Sequence, residues 1–447
     1  MKAILPALLV GIALLALVAC DDEAEVASGT QQSTASPSAT QAGVAEQQEV
    51  ARSEKPRATP PAGAEADLAE LVAGNSAFAF DLYQALREES EGNLFYSPYS
   101  ISLALAMTYA GARGETQRQM ADTLGFTLSD DRLHPAFNAL DLDLAHRGEG
   151  AGAKPTDRFQ LNIANALWGQ QGFAFLPEFL DVLAQNYGAG LRILDFVTAP
   201  EESRVTINDW VSDQTAGKIP DLIPPGIFNK LTRLALTNAI YFNAGWLFPF
   251  KPEDTQDGPF HLLDGDEVTV PMMKQTREGS YAEGEGYQAV SLPYGTSGVG
   301  MLLLVPPAGQ FEAFESSLSA ERVDAIVNGF RKWSITLSMP KFDFESSFDL
   351  GETLATMGMP DAFTELADFS GMNGSRELLI QAVVHKAFVS VDEEGTEAAA
   401  ATAAVGGFLS GPEGHVDLTI DRPFIFLIRD YKTGAILFVG RVVDPTA

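Results

Sequence analysis

From Asp67 onward the chain switches repeatedly between two hydrophobic periods. Leu68, Leu71, Val72, Phe78 and Leu82 recur at helical spacing and predict an amphipathic helix. Ser97-Pro98, ahead of Ile101, Leu103, Leu105 and Ala106, predicts a capped start leading into a buried helix. The serine oxygen can accept a free backbone N–H there, and a proline at the first helical position has none to satisfy. Phe159 to Trp168 and Leu234 to Phe242 are apolar runs too short for long helices and predict buried strands. Val383 to Val391 alternates weakly and then stops at a charged, glycine-containing stretch. Phe424 to Val443 carries two β-rich runs split by Asp430-Tyr431-Lys432-Thr433-Gly434, a hairpin signal. No pattern repeats at a fixed period, so the expected class is mixed α+β.

The segment ahead of Asp67 is built differently. Residues 21 to 66 contain no aromatic residue, are rich in Ala, Ser, Thr, Gln and Glu, and are punctuated by Pro37, Pro56, Pro60 and Pro61. Such a composition buries too little apolar surface to offset chain entropy and predicts a disordered tether, spanning roughly 40 Å as a flexible coil. Before it, Lys2 and an apolar run from Ile4 to Val18 fit a secretory leader, the run being too short to span a membrane. Leu17-Val18-Ala19-Cys20 resembles the lipobox of bacterial lipoproteins, in which the cysteine sulfur carries the lipid. The expected layout is a leader over 1–19, a lipid-anchored tether over 20–66 and a folded body over 67–447. The chain would be exported and held at a bacterial membrane through Cys20, facing periplasm or exterior.

Composition removes several function classes. Lys and Arg number 29 against 60 Asp and Glu, a net charge of −31, which argues against a basic nucleic-acid face. One cysteine excludes a disulfide framework, and the five histidines show no zinc-ligand spacing, so neither metal nor cofactor is expected. Gly295-Thr296-Ser297-Gly298 lacks the spacing of a nucleophile elbow, and Gly217-Lys218 lacks the upstream glycine of a phosphate loop. A hydrolase on a mixed α/β scaffold therefore has no nucleophile–base pair to point to.

The unusual stretch runs from Glu393 through Gly395, Thr396 and Glu397 into Ala398-Ala399-Ala400-Ala401-Thr402-Ala403-Ala404. Alanine content alone favours a helix, and a flexible linker is a second reading. The stretch also follows a strand pattern and precedes the loop chemistry of Val405-Gly406-Gly407-Phe408-Leu409-Ser410-Gly411-Pro412. Small side chains at alternate positions would let it slide between two strands, with Thr396, Ala398, Ala400 and Thr402 on one face.

Taken together these residues resemble the serpin family over the whole folded body. The resemblance is carried by Asn93-Leu94-Phe95-Tyr96-Ser97-Pro98-Tyr99-Ser100-Ile101 and by Thr237-Asn238-Ala239-Ile240-Tyr241-Phe242-Asn243-Ala244-Gly245-Trp246. His385-Lys386-Ala387 with Glu393 to Ala399, and Leu418 to Phe426, complete it in the same order and with matching spacing. It implies three β-sheets, about nine helices and an exposed reactive loop, folded as one unit. It also implies a monomeric protease inhibitor rather than an enzyme. A serine protease, or in some relatives a cysteine protease, attacks the loop and is trapped as an acyl-enzyme while the loop inserts into the central sheet.

Residue roles follow from the same resemblance. Glu393, Gly395, Thr396 and Ala398 to Ala401 form the hinge. Ser97, Ser100, Asn238 and His385 form a polar cluster beneath the opening sheet, and Trp246 lies where insertion begins. The family register places the scissile bond at Leu409-Ser410, with Phe408-Leu409 as the alternative because Gly406-Gly407 makes the loop supple. Leucine there suits chymotrypsin-like, cathepsin G-like or subtilisin-like enzymes. The region from Asp131 to Arg147 has no basic cluster, so a heparin-like activator is not expected. The competing expectation is a non-inhibitory binding protein or carrier, for which a charge, proline or bulk in the hinge would be the mark.

Overall fold

A computed structural model describes residues 49–61, 63–147, 160–295, 297–396 and 411–447. Within the described residues lie ten α-helical segments and two extended sheets. The first sheet has seven strands in the order Val50–Ala51, Leu191–Leu194, Gln160–Gln170, Leu234–Gly245, Gly395–Thr396, Ala382–Val391 and Phe342–Asp349. Leu234–Gly245 is buried along almost its whole length, which is why its sequence reads as a continuous apolar run. Phe342–Asp349, at the sheet margin, alternates buried and exposed positions as a half-covered strand should.

The second sheet has nine strands. Its longest, Glu267–Gly284, pairs with Gln256–His261 and Arg331–Pro340 and, over its last residues, with Tyr287–Tyr294. Its pairings run these strands into one continuous sheet, so the described residues form two sheets where three were expected. The hairpin signal near the C-terminus is realised as Phe424–Asp430 paired antiparallel with Ile436–Val442. Phe95 stacks between the rings of Phe426 and Phe438, with centroids at 5.7 and 4.9 Å.

The helix expected after Ser97 runs Pro98–Tyr109, with the Ser97 hydroxyl accepting the Ser100 N–H at 3.1 Å. All twelve of its residues are buried, so it is a core helix rather than an amphipathic one. Glu65–Glu89 turns Phe78, Leu82 and Leu86 into the same core. A smaller core lies on the other face of the seven-stranded sheet, where Ile207 and Val211 of helix Pro200–Gln214 cover Trp168, Ala235 and Val384. A buried ion pair fixes the C-terminal strand: Arg441 meets Glu315 at 2.8 Å, Glu315 also accepts the Tyr83 hydroxyl, and Arg441 donates to the carbonyls of Ser90 and Gly92.

Residues 1–48, with the leader and Cys20, lie outside the described residues. Residues 49–61 do not behave as the expected coil: they lie against the body, and the first helix begins at Glu65. They bury little apolar surface, in keeping with their composition. What holds them is backbone pairing and ion pairs, which composition does not report.

Gly440 permits close packing in the nine-stranded sheet, since a Cβ there would fall 2.2 Å from Cζ of Phe426. Gly440→Ala should overpack this core by about 1–3 kcal/mol. A scanning calorimeter should record a lower unfolding midpoint, and an unchanged midpoint would count against the assigned packing.

Candidate functional site

The strands Leu234–Gly245 and Ala382–Val391 are both drawn from β-rich sequence and pair in parallel from Ala235/Ala382 to Tyr241/Phe388. Beyond that point they separate. The two-residue strand Gly395–Thr396 fills the opening, with Gly395 opposite Gly245, Thr396 opposite Ala244 and Thr396 opposite Val391, antiparallel on both sides. The start of the expected hinge is thus already a strand within the sheet. The fork is closed at its tip by a turn in which Asp392 Oδ1 accepts the N–H groups of Glu394 and Gly395 at 2.8 and 3.2 Å.

A set of aromatic and charged groups holds this entry point. The Trp246 indole donates to the Asp392 carbonyl at 2.9 Å, and its backbone N–H donates to the Glu394 carbonyl at 2.9 Å. Tyr294 stacks on Trp246 with centroids 4.6 Å apart, and its hydroxyl lies 2.6 Å from Thr396 Oγ1. Thr396 is only 1% exposed, so the hydroxyl pair satisfies two buried polar groups together. Glu393 accepts from Lys341 at 2.8 Å and from Thr255 at 2.8 Å. Burial pushes the Glu393 carboxyl up, but these donors outweigh it and hold it below the usual carboxylate range.

Further down the same sheet, four positions form a row across adjacent strands: Asn165 opposite Asn238, Asn238 opposite His385, and His385 opposite Phe348. Asn238 Nδ2 donates to Ser100 Oγ at 2.8 Å and to Asn165 Oδ1 at 2.6 Å. Asn165 returns a bond to the Ser100 carbonyl at 2.9 Å, and Ser97 Oγ donates to the Leu437 carbonyl at 2.6 Å. The Ser97 N–H donates to His385 Nε2 at 3.2 Å, which makes Nε2 the acceptor. The proton of the neutral ring then sits on Nδ1 and is donated to Asn238 Oδ1. Complete burial lowers the imidazole pKa to about 3, so the ring is uncharged at neutral pH.

These positions bring Ser97, Ser100, Asn238 and His385 into one network and put Glu393, Gly395, Thr396 and Trp246 into another at the top of the fork. Ala398 to Ala401, Phe408, Leu409 and Ser410 lie outside the described residues, as does Cys20. Sequence reading missed Asn165, Tyr294, Lys341 and Thr255. Asn165 left a signal: a carboxamide in the middle of an apolar strand needs a buried partner. The other three left none, because each is recognisable only from what faces it. A strand entering between Asn238 and His385 would have to part their hydrogen bond, so the row clasps the two strands together.

The serpin (serine protease inhibitor) family profile matches residues 73–445. The leukocyte elastase inhibitor of Sus scrofa is 40% identical over 387 residues, covering 84% of this chain and 100% of that protein. An uncharacterized serpin-like protein of Thermococcus kodakarensis is 41% identical over 378 residues, covering 84% of this chain and 86% of its own. Among solved structures, human thyroxine-binding globulin complexed with thyroxine superposes with a TM-score of 0.74 at 33% identity. That match covers 85% of this chain and 100% of the globulin.

The His385 shift gives a pH dependence of defined sign. Its pKa falls from 6.5 when solvated to about 3 when folded, so between those values the unfolded chain binds the extra proton. The contribution of His385 is fully present above pH 6.5 and is lost as pH falls, by about 1.4 kcal/mol per pH unit. Denaturant unfolding followed from pH 7 to pH 4 should therefore show a smaller pH slope in His385→Gln than in the parent. Equal slopes would mean that His385 does not titrate in this range.

Proposed function

The chain belongs to the serpin family, and we propose that it traps a serine protease of apolar specificity at Leu409-Ser410 by inserting its cleaved loop into the seven-stranded sheet. The observation that carries this reading is the fork between Leu234–Gly245 and Ala382–Val391, already occupied by Gly395–Thr396 in the antiparallel sense that a longer inserted strand would continue. The attacking protease serine forms an ester with the Leu409 carbonyl carbon, the bond to Ser410 breaks, and Ser410 leaves as a free amine carrying a proton. The loop, released at that end, extends the strand begun at Gly395 while the parallel ladder from Ala235 to Tyr241 separates.

Insertion replaces one parallel ladder with two antiparallel ones and pairs every backbone group of the entering segment. In the inserted strand, Thr396, Ala398, Ala400 and Thr402 would share one face, and all are small enough to avoid overpacking. A carrier would be marked by a hinge that cannot enter the sheet, whereas Thr396 already occupies it. A protease with an apolar specificity pocket, chymotrypsin-like, cathepsin G-like or subtilisin-like, fits Leu409, and a cysteine protease could be acylated at the same carbonyl. Phe408-Leu409 is the neighbouring bond that a shifted register would expose. Helix Asp130–Ala145 begins with two aspartates, and Arg132 and Arg147 are engaged by Asp67 and by Asp143 and Asp430. This reading calls for no polyanion activator.

Cys20 completes the functional reading as the lipid attachment point of an exported bacterial protein. It holds the inhibitor at a membrane, where it meets proteases outside the cytoplasm. What supports this is the leader-like run ending Leu17-Val18-Ala19-Cys20 and the absence of any other cysteine in the chain.

Mixing the full chain with excess chymotrypsin should give a complex that survives SDS and a released peptide beginning at Ser410 by mass spectrometry. Thr396→Arg places a long cation where a buried hydroxyl sits and should yield clean cleavage with little complex. Wild-type trapping by that variant would sink the insertion mechanism. Separately, Cys20→Ala should move the protein from the membrane pellet to the soluble fraction in detergent-free buffer. Pelleting that persists in the variant would sink the lipid anchor.

A further inference from the structure

Residues 49–61 form a strap with an unusual chemical make-up for this chain. In a protein of net charge −31, they carry three cations, Arg52, Lys55 and Arg57, against two acids, Glu49 and Glu54. Pro56, Pro60 and Pro61 restrict the backbone, which reduces the entropy lost when the segment docks.

The strap begins as a short strand on the outer edge of the seven-stranded sheet. Val50 pairs with Arg192 and Ala51 with Leu191, antiparallel, and the Glu49 carbonyl accepts the Ile193 N–H at 2.9 Å. The approach is so close that a Cβ on Gly190 would lie 2.9 Å from Ala51 O, Arg52 Cβ and Val50 Cγ1. Only glycine leaves room for the strap at that point.

Beyond the edge strand the strap is held by charge. Lys55 and Ser53 meet Asp181 at 2.7 and 2.6 Å. Arg57 donates to Asn138 Oδ1 at 2.8 Å and to Asp141 at 2.6 Å, while Asn138 donates back to the Ala58 carbonyl at 2.8 Å. The Ala58 N–H reaches the Gln185 carbonyl at 2.8 Å.

The two ends of the strap rest on different parts of the fold. Leu191–Leu194 belongs to the half of the seven-stranded sheet that lies beyond Leu234–Gly245 from Ala382–Val391. Asn138 and Asp141 belong to helix Asp130–Ala145, which is tied to the C-terminal hairpin of the other sheet. Asp143 on that helix meets Lys432 at 2.9 Å, and Arg147 just beyond it meets buried Asp430 at 2.9 Å. A sheet that widens between Leu234–Gly245 and Ala382–Val391 must displace its outer edge relative to the hairpin, and the strap spans that displacement.

We propose that the Leu191–Leu194 edge is a docking site whose occupant is residues 49–61 of the same chain, and that the docked strap restrains sheet expansion. Strap release is then a step in loop insertion, whether the loop has been cleaved or inserts uncleaved. The second statement rests on the insertion mechanism above, whereas docking at the edge does not. Part of the hold is between partly exposed charges, so it weakens with salt.

The test uses the full chain with both Lys55→Glu and Arg57→Glu, which set like charges against Asp181 and Asp141. Hydrogen exchange at the Ile193 amide, which donates to Glu49, reads docking directly and should accelerate about tenfold or more. Conversion on incubation to a form with markedly higher unfolding temperature reads uncleaved insertion without using inhibition, and it should be faster by a similar factor. Gly190→Ala displaces the strap without altering any charge and should reproduce both effects, and 1 M NaCl should move the parent in the same direction. Unchanged Ile193 exchange in both variants would overturn the docking site. Faster exchange with an unchanged conversion rate would overturn the restraint. A chain that forms no protease complex yet shows both accelerations would count against the inhibitory reading and leave the strap in place.

Discussion

The structure depends on a parallel ladder that joins Leu234–Gly245 to Ala382–Val391 only as far as Tyr241 and Phe388. Parallel pairing is slightly weaker per residue than antiparallel pairing. Here it occupies a position that an entering strand could fill with two antiparallel ladders. The closed sheet is therefore not the arrangement with the most backbone pairing, and the side chains around the ladder hold it closed. The Asn165–Asn238–His385 row clasps it across the middle, and Trp246, Tyr294 and Glu393 hold the mouth of the fork. Helix Pro200–Gln214 covers the same sheet on its outer face. An inserting strand has to dislodge contacts in all three places.

Polar chemistry in these places is arranged so that closed pairing satisfies every group. His385 donates through Nδ1 and accepts through Nε2 only while it is neutral, and burial keeps it neutral. Separating Asn238 from His385 exposes both to water or to a new strand. Since buried polar groups need partners in either state, the clasp can open and close without leaving a stranded charge. Glu393 works in the opposite sense, as a carboxylate that stays ionised because Lys341 and Thr255 face it. The two networks resist opening by different means, one by hydrogen bonds in the sheet interior and the other by a charge pair at its rim.

Some of the few cations of this acidic chain tie together elements distant in sequence. Arg441 joins the last strand to Glu315 and to the end of the first helix, and Arg147 joins helix Asp130–Ala145 to Asp430. A buried pair contributes less net stability than its short distances suggest, because both charges lose water. Its effect is to penalise any arrangement in which one partner is left alone. That favours a single register for the C-terminal hairpin, on which Phe95 and the rings of Phe426 and Phe438 are stacked.

Local signals determined the main elements: the length of apolar runs, a Ser-Pro cap and a turn. The buried helix after Ser97, the strands around Trp168 and Tyr241, and the C-terminal hairpin all sit where these signals predict, because run length, capping and turn chemistry are local properties of the chain. Motif spacing brought Ser97, Ser100, Asn238 and His385 into one expected cluster and Thr396 into the hinge. Only the tertiary structure supplied the groups they meet. Asn238 bonds Ser100 from 138 positions away, Thr396 meets Tyr294 across 102, and Glu393 meets Lys341 across 52. No local period encodes a partner at that distance. The same reason hid the strap, where Arg57 and Asp141 lie 84 residues apart. A proline-punctuated polar segment has the composition of a coil, and it becomes ordered here because a sheet edge, a glycine and two aspartates lie within its reach.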